Sequence, residues 1–396
     1  MRRSNLTVAM FAGGLATFGE LYAVQAVLPA MSDSLRLTES TASLAISVAT
    51  GALALAVLPW AAVADRFGRA RTMIVALTVS AVCGLLIPLA PGVATLLVLR
   101  AVSGAALAAV PALAMAHVVE FARPGRAVAA GGTYVAGTSI GGLSGRLLTG
   151  TVAGVVGGAD GWRWGLAATA VAVTVLAVVF AVLLPHDEIR RAPGHSGRLR
   201  RALDGRAGWV LYAQGFLLMG GFVTLYNLLP FRLLAAPYRV PASVVSLIFV
   251  TYLVGTAGSS MVGRLAGRFG RRAVVIGGGV GMVAGSLLMM TRPLSLVVAG
   301  LVVATFGFFV THAIAAGWVG ALLPDARSQA TALYSLCYYL GSSALGYLGA
   351  LIFTITGWWG AAAMVTVCAG VAVALAATLA PSRGVGSADP DGGVRR

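Results

Sequence analysis

Lysine is absent from this chain of 396 residues, and charge of any kind is scarce, at 10% of residues. Soluble domains carry about a quarter charged residues, so an ordinary soluble fold is excluded. The 28 basic residues, all arginine, face 12 acids and leave a net charge of +16. The absence of lysine reads as codon usage and carries no function. Cysteine is limited to Cys83, Cys337 and Cys368, all in apolar runs without CxxC spacing, which excludes a disulfide framework and a structural zinc. The four histidines form no cluster, so no metal and no cofactor are expected. GxxxxGK[ST], GxSxG and HExxH are all missing, so ATP is not the power source and an intramembrane hydrolase is disfavoured.

Apolar sequence fills the space. Hydrophobic residues make up 59% of the chain, 52 residues are Gly, and the mean hydropathy is +0.91. About 20 apolar residues cross a bilayer as a helix. Runs of that kind fall at 7–29, 42–63, 72–91, 94–117, 129–153, 164–184, 209–231, 241–262, 273–290, 294–321, 329–354 and 357–380. Backbone groups in lipid must bond within their own segment, so uninterrupted runs of this length predict helices and not barrel strands. The expected fold is an all-α membrane protein with twelve transmembrane helices. The run after Met1-Arg2-Arg3 is too long for a signal peptide and is read as a first anchor that stays.

Arginine sets the expected orientation. One side, with both termini, collects 21 Arg; the other holds Arg36, Arg163, Arg232, Arg239 and Arg292, while Arg100 and Arg146 lie inside spans. The positive-inside rule then puts both termini in the cytoplasm, in an inner or plasma membrane. Spread over a whole membrane face, these arginines do not read as a nucleic-acid footprint. The predicted division is an N-terminal bundle over 1–185, a cytoplasmic linker over 186–207, a C-terminal bundle over 208–380 and a disordered tail over 381–396. Arg190, Arg191, Arg198, Arg200, Arg201 and Arg206 crowd the linker, which reads as a connector or, alternatively, as an anionic-lipid segment.

The halves repeat. Ala64-Asp65-Arg66-Phe67-Gly68-Arg69 returns as Ala266-Gly267-Arg268-Phe269-Gly270-Arg271, at an offset of 202, and Tyr134 to Gly145 returns as Tyr338 to Gly349, at an offset of 204. In its place after the second span, the first block resembles the G-x-L-A-D-R-x-G-R-R loop of the major facilitator superfamily. Three further runs, Gly141 to Arg146, Gly215 to Gly220 and Gly307 to His312, resemble the YnfM-type branch of bacterial drug-efflux-like permeases. This resemblance implies two six-helix bundles with inverted repeats, rocking about a midplane site. The GxxxG spacings Gly137/Gly141, Gly150/Gly154 and Gly277/Gly281/Gly285 would let helices approach closely, the span 5 set at the bundle interface.

Site expectations follow from depth and from the resemblance. Asp65, Arg66, Gly68 and Arg69, with Arg268, Gly270 and Arg271 in the second copy, are read as a conformational latch. Gly267 stands in the second copy where the first has Asp65. Glu20 lies deep in span 1, where an ionisable group is costly and should face a cavity or partner. It resembles the first-helix acid of some drug:proton antiporters, and a desolvated carboxyl can bind and release a proton near neutral pH. A substrate contact, a structural contact or a buried ion pair are its alternatives. Arg100, the arginine of the family's helix 4 motif, is at a similar depth and is expected to pair with Glu20, while Arg146 is read as snorkelling or not. Tyr22, Gln25, Tyr134, Gln214, Tyr226, Asn227, Phe308, His312 and Tyr338 are the substrate-binding candidates, since aromatics with a few polar groups suit flat lipophilic ligands.

The function expected is proton-coupled efflux of small lipophilic, drug-like compounds. A proton-coupled importer of a sugar, organic anion or peptide is the alternative, and a non-transporting sensor shares the fold. The expected partners are a small-molecule substrate, a proton and the bilayer, with one chain sufficient as a monomer.

Overall fold

In a computed structural model the chain is described over residues 5–122, 127–186 and 196–380. The tail over 381–396 and linker residues 187–195, both subjects of expectations above, lie outside the described residues, as do Arg2, Arg3, Arg123 and Arg126. Six helices form the first half: α1 (Leu6–Leu35), α2 (Glu39–Phe67), α3 (Arg69–Leu89), α4 (Val93–Phe121), α5 (Ala127–Val156) and α6 (Gly161–Leu183). Six more follow: α7 (Arg206–Leu234), α8 (Ala242–Phe269), α9 (Arg271–Leu288), α10 (Leu294–Leu322), α11 (327–356) and α12 (358–377). The last two are continuous except at Gly357, whose φ of 71° breaks the helix. A short helix, Ser196–Leu203, precedes α7, and there is no strand among the described residues.

The helices overrun the apolar runs that predicted them. Span 1 continues from residue 29 to Leu35, and α2 starts at Glu39, where the Thr38 side chain accepts a hydrogen bond from the Thr41 N–H at 3.2 Å. Hydropathy marks the hydrocarbon layer, whereas the helix persists until a cap or a glycine ends it. Two spans are also locally rewound. α1 tightens to 3-10 geometry at Val24–Val27, just before Pro29, which has no N–H for the carbonyl four residues back, and α8 does so at Ser246–Thr251.

The repeat is visible in the backbone. Gly68 (φ 85°, ψ 149°) joins α2 to α3, Gly270 (φ 80°, ψ 152°) joins α8 to α9, and each donates its N–H to the carbonyl four residues earlier, Ala64 or Ala266. Only glycine takes such a φ without strain. Within each half one glycine also seats a helix pair: Gly137 of α5 lies on the backbone of Phe11, and Gly341 of α11 lies on that of Phe216. Gly141 continues the α5 contact along α1 at Leu15, so this pair packs within a bundle, whereas Gly150 and Gly154 meet Ser246 and Ser243 of the other half. The interface role expected for span 5 therefore falls to the second glycine pair. In the third set, Gly285 lies against Gly300 and Ala304, while Gly277 faces open space.

A Cβ at Gly137 would stand 2.5 Å from the Phe11 carbonyl oxygen, whereas one at Gly132, on the same helix, would meet nothing within 4 Å. Gly137→Ala is expected to lower the unfolding temperature in detergent by several degrees, and Gly132→Ala to leave it unchanged or raised. Equal behaviour of the two variants would disprove the close α1–α5 seat.

The halves meet near their arginine-poor ends. The Ser40 N–H donates to Thr354 Oγ1 at 3.3 Å, and Ser343 Oγ donates to the Ser47 carbonyl at 2.7 Å, both between α2 and α11.

Candidate functional site

Glu20 is buried at the end of the α-helical part of α1, 4% exposed, and its carboxylate is held by two hydroxyls. Ser80 of α3 donates to Oε2 at 2.6 Å and Ser103 of α4 to Oε1 at 2.7 Å. Arg100 is as deeply buried, but its contacts differ from the ion pair expected from depth. Its Nε donates to the Ala45 carbonyl at 2.7 Å, and its terminal nitrogens donate to the main-chain carbonyls of Leu21 at 2.6 Å and Glu20 at 3.4 Å. The physical reason lies in α1. The last four carbonyls of a helix have no partner within it, and here the helix stops at Ala23, so Glu20 and Leu21 present free oxygens to the guanidinium. Among the described residues no guanidinium stands within 4.0 Å of the Glu20 carboxylate. A void of about 20 Å³ adjoins it, lined by Arg100, Gly84 and Thr169 among others, which is room for about one water.

A second polar cluster crosses between the halves. Arg146 of α5 is 1% exposed and does not snorkel. Its Nε donates to Gln25 Oε1 at 2.6 Å and NH2 to the Tyr252 hydroxyl at 3.0 Å, while NH1 donates to the Gly142 carbonyl one turn earlier. Its guanidinium carbon lies 4.6 Å from the ring centres of both Tyr22 and Tyr252 and 5.3 Å from that of Phe249. The rewound turn of α1 turns Gln25 across the interface, so that Gln25 Nε2 donates to Asn227 Oδ1 of α7 at 2.5 Å. Two buried polar atoms in this region, Ser47 Oγ and Asn227 Nδ2, have no hydrogen-bond partner, and the buried Tyr22 and Ser342 hydroxyls face each other.

An aromatic wall on the second half adjoins the cluster. Phe222 stacks on Phe308 at 4.0 Å, and Phe308 is followed by His312 and Tyr338, both half-buried. His312 Nδ1 lies 2.9 Å from the Tyr334 hydroxyl. Not every expected residue reaches this place. Gln214 donates to the Ala372 carbonyl of α12 at 2.7 Å, and the Tyr226 hydroxyl lies between those of Thr251 and Thr305, so both are engaged inside the second half. Tyr134 is buried in α5 with its hydroxyl unpartnered.

At the arginine-rich ends, the two copies of the loop motif fold alike. Arg66 packs over Phe67 at 5.8 Å and Arg268 over Phe269 at 5.2 Å, and Arg271 opens α9 after Gly270. Arg69 pairs with Glu120 of α4 at 2.6 Å, and Asp65 makes no ion pair among the described residues. Each partner is about a third exposed, so this bridge contributes roughly 1 kcal/mol or less.

Sequence reasoning missed Ser80, Ser103 and Glu120, and left Arg146 open between snorkelling and a buried role. A readable signal existed for the two serines, since each is a hydroxyl in an apolar run at a depth close to that of Glu20. A groove of about 540 Å³ between α8, α9 and α10 contains none of these residues and is lined by apolar side chains such as Val254, Phe269 and Phe306.

Twelve long helices in two bundles among the described residues, most of them apolar enough to cross a membrane, with polar residues buried where the bundles meet, define a multi-pass membrane carrier. The family model described as Major Facilitator Superfamily matches residues 10–232 and 211–393, and this chain belongs to that family. It is 34% identical over 366 residues to the inner membrane transport protein YnfM of Escherichia coli, covering 91% of this chain and 87% of that protein. To the uncharacterized MFS-type transporter YybF of Bacillus subtilis it is 33% identical over 384 residues, covering 95% and 94%. A bacterial homolog of the human lysosomal transporter Spinster, in an inward-facing and occupied conformation, superposes with a TM-score of 0.82 at 15% identity, covering 95% of this chain and 96% of that one. A D-xylose-proton symporter superposes with a TM-score of 0.73 at 14% identity, covering 94% and 97%.

Proposed function

We propose that this chain is a proton-coupled secondary transporter working by alternating access, with Glu20 as its proton carrier. The observation that carries the reading is the buried Glu20 carboxyl held by Ser80 and Ser103, with no ion pair among the described residues. Serine hydroxyls donate to a carboxylate and accept from a carboxylic acid by rotating, so the site holds either protonation state without rebuilding. The first reading is export, by antiport, of small lipophilic compounds against the wall of Phe222, Phe308 and Tyr338. The second is entry of a small organic anion with the proton, favoured by the Arg146 guanidinium, which has no carboxylate partner among the described residues. In both, the termini are cytoplasmic, the bundles over 1–185 and 208–380 rock about the linker over 186–207, and the loop motifs of Asp65, Arg69 and Arg271 latch one conformer.

The test uses liposomes containing the purified protein and an imposed pH gradient. Lipophilic drugs, sugars and organic acids are added in turn, and at least one is expected to collapse the gradient faster than in empty liposomes. If none does, in either direction of the gradient, proton coupling is rejected.

A further inference from the structure

We infer that Arg146 is the charge-selecting group of the transport site, and that the solute held there is a small aromatic organic anion such as a carboxylate or sulfonate. This inference rests on the second reading above.

The first argument is charge. Among the described residues three charged side chains are buried in the helical interior, Arg100 and Arg146 against Glu20. The interior therefore carries one excess positive charge with Glu20 ionised and two with it protonated. Arg100 lies beside Glu20 and spends its donors on the carbonyls of Ala45, Glu20 and Leu21. Arg146, on α5 at the joint between the halves, has neutral partners only: Gln25, Tyr252 and the Gly142 carbonyl. An isolated buried charge is costly unless an opposite charge joins it. Three of its five N–H groups are used in these bonds, which leaves two for a planar carboxylate or sulfonate to accept.

The second argument is an orphaned donor beside it. Asn227 Nδ2 is buried and unpartnered, while the buried hydroxyls of Tyr22 and Ser342 face each other. Asn227 is tied to Arg146 through Gln25, and the ring of Tyr22 lies 4.6 Å from the guanidinium carbon. A buried donor without a partner marks a place completed by an acceptor-rich ligand. Phe249, Tyr252 and Tyr22 around the guanidinium, with Phe222 and Phe308 beyond, offer faces to a ring attached to that acceptor. A lipophilic cation finds no countercharge at this place. A proton taken up at Glu20 adds to the positive charge that attracts an anion, so proton and anion favour each other's binding.

The experiment compares benzoate, benzamide and benzylamine, one ring carrying an anion, a neutral group and a cation, by calorimetric binding to the full purified chain without any pH gradient. Wild type is expected to bind benzoate about 30-fold more tightly than benzamide, and Arg146→Gln to lose that preference. Asn227→Asp, which puts a carboxylate beside Gln25 as an internal counter-ion, is expected to remove it as well and serves where the Arg146 variant fails to fold. Equal binding of benzamide, tighter binding of benzylamine, no binding of any of the three, or a benzoate preference that survives both substitutions would each overturn the inference. Absence of the benzoate preference in a wild-type protein whose solute-driven proton flux is intact would remove only the anion; a wild-type preference without proton flux would remove only the coupling.

Discussion

Glu20→Gln is expected to reduce solute-driven proton flux to the background of empty liposomes, while exchange of labelled for unlabelled solute continues. The amide has the size of the carboxyl, and its oxygen still accepts from one serine while its NH2 donates to the other, so the contacts to Ser80 and Ser103 at 2.6 and 2.7 Å are kept in a neutral form. What it loses is the ability to change protonation state. A carrier that must be protonated to complete one leg of its cycle then keeps solute exchange and loses net coupled movement. The measurement is a pair of assays on one preparation: a pH-sensitive dye inside liposomes for the flux, and counterflow for the exchange. Flux equal to wild type would move the coupling acid elsewhere, and loss of both activities would make Glu20 a structural or solute-holding group.

Much of the architecture was legible because lipid leaves so few options. A backbone that must satisfy itself within the hydrocarbon forces helices, and the run lengths then counted them. The loop motif was legible for a second reason: Gly68 and Gly270 stand where the chain takes positive φ, and the same φ/ψ recurs in both copies. Partner choice was not legible. The sequence placed Glu20 and Arg100 at similar depths, and at that resolution an ion pair follows from opposite charge alone. The structure diverts Arg100 to carbonyls because α1 changes to 3-10 geometry at Val24, an event that depends on Pro29 and on how the turn packs. Arg146 was left undecided for a related reason. Its position near the end of span 5 allowed it to reach water, but the turn that carries Gln25 and the start of the regular part of α8 at Tyr252 close over it. Side chains from four helices meet there, and spacing along any one helix carries no trace of the other three.

Arg100→Lys separates two roles that its position alone confounds. One is electrostatic, a positive charge near the Glu20 carboxyl; the other is structural, gathering the carbonyls of Ala45, Glu20 and Leu21 so that α1, α2 and α4 join where α1 leaves α-helical geometry. Lysine keeps the charge but has one nitrogen on a shorter reach, and cannot serve three carbonyls held apart by two helices. Charge-assisted bonds to a buried carbonyl contribute about 1.5 to 3 kcal/mol each, and a carbonyl left bare costs its desolvation. The structural role therefore predicts that Arg100→Lys and Arg100→Met both lose roughly 3 kcal/mol or more of stability and several degrees of unfolding temperature. It also predicts that both impair proton-coupled transport, because the two serines bind a carboxyl that α1 no longer holds in place. The electrostatic role predicts instead that the lysine variant behaves like wild type and only the methionine variant falls. Unfolding curves in detergent and dye-reported flux on the two variants decide between these outcomes. The geometry favours the structural one, since all three oxygens on Arg100 belong to the main chain and none to the Glu20 carboxylate.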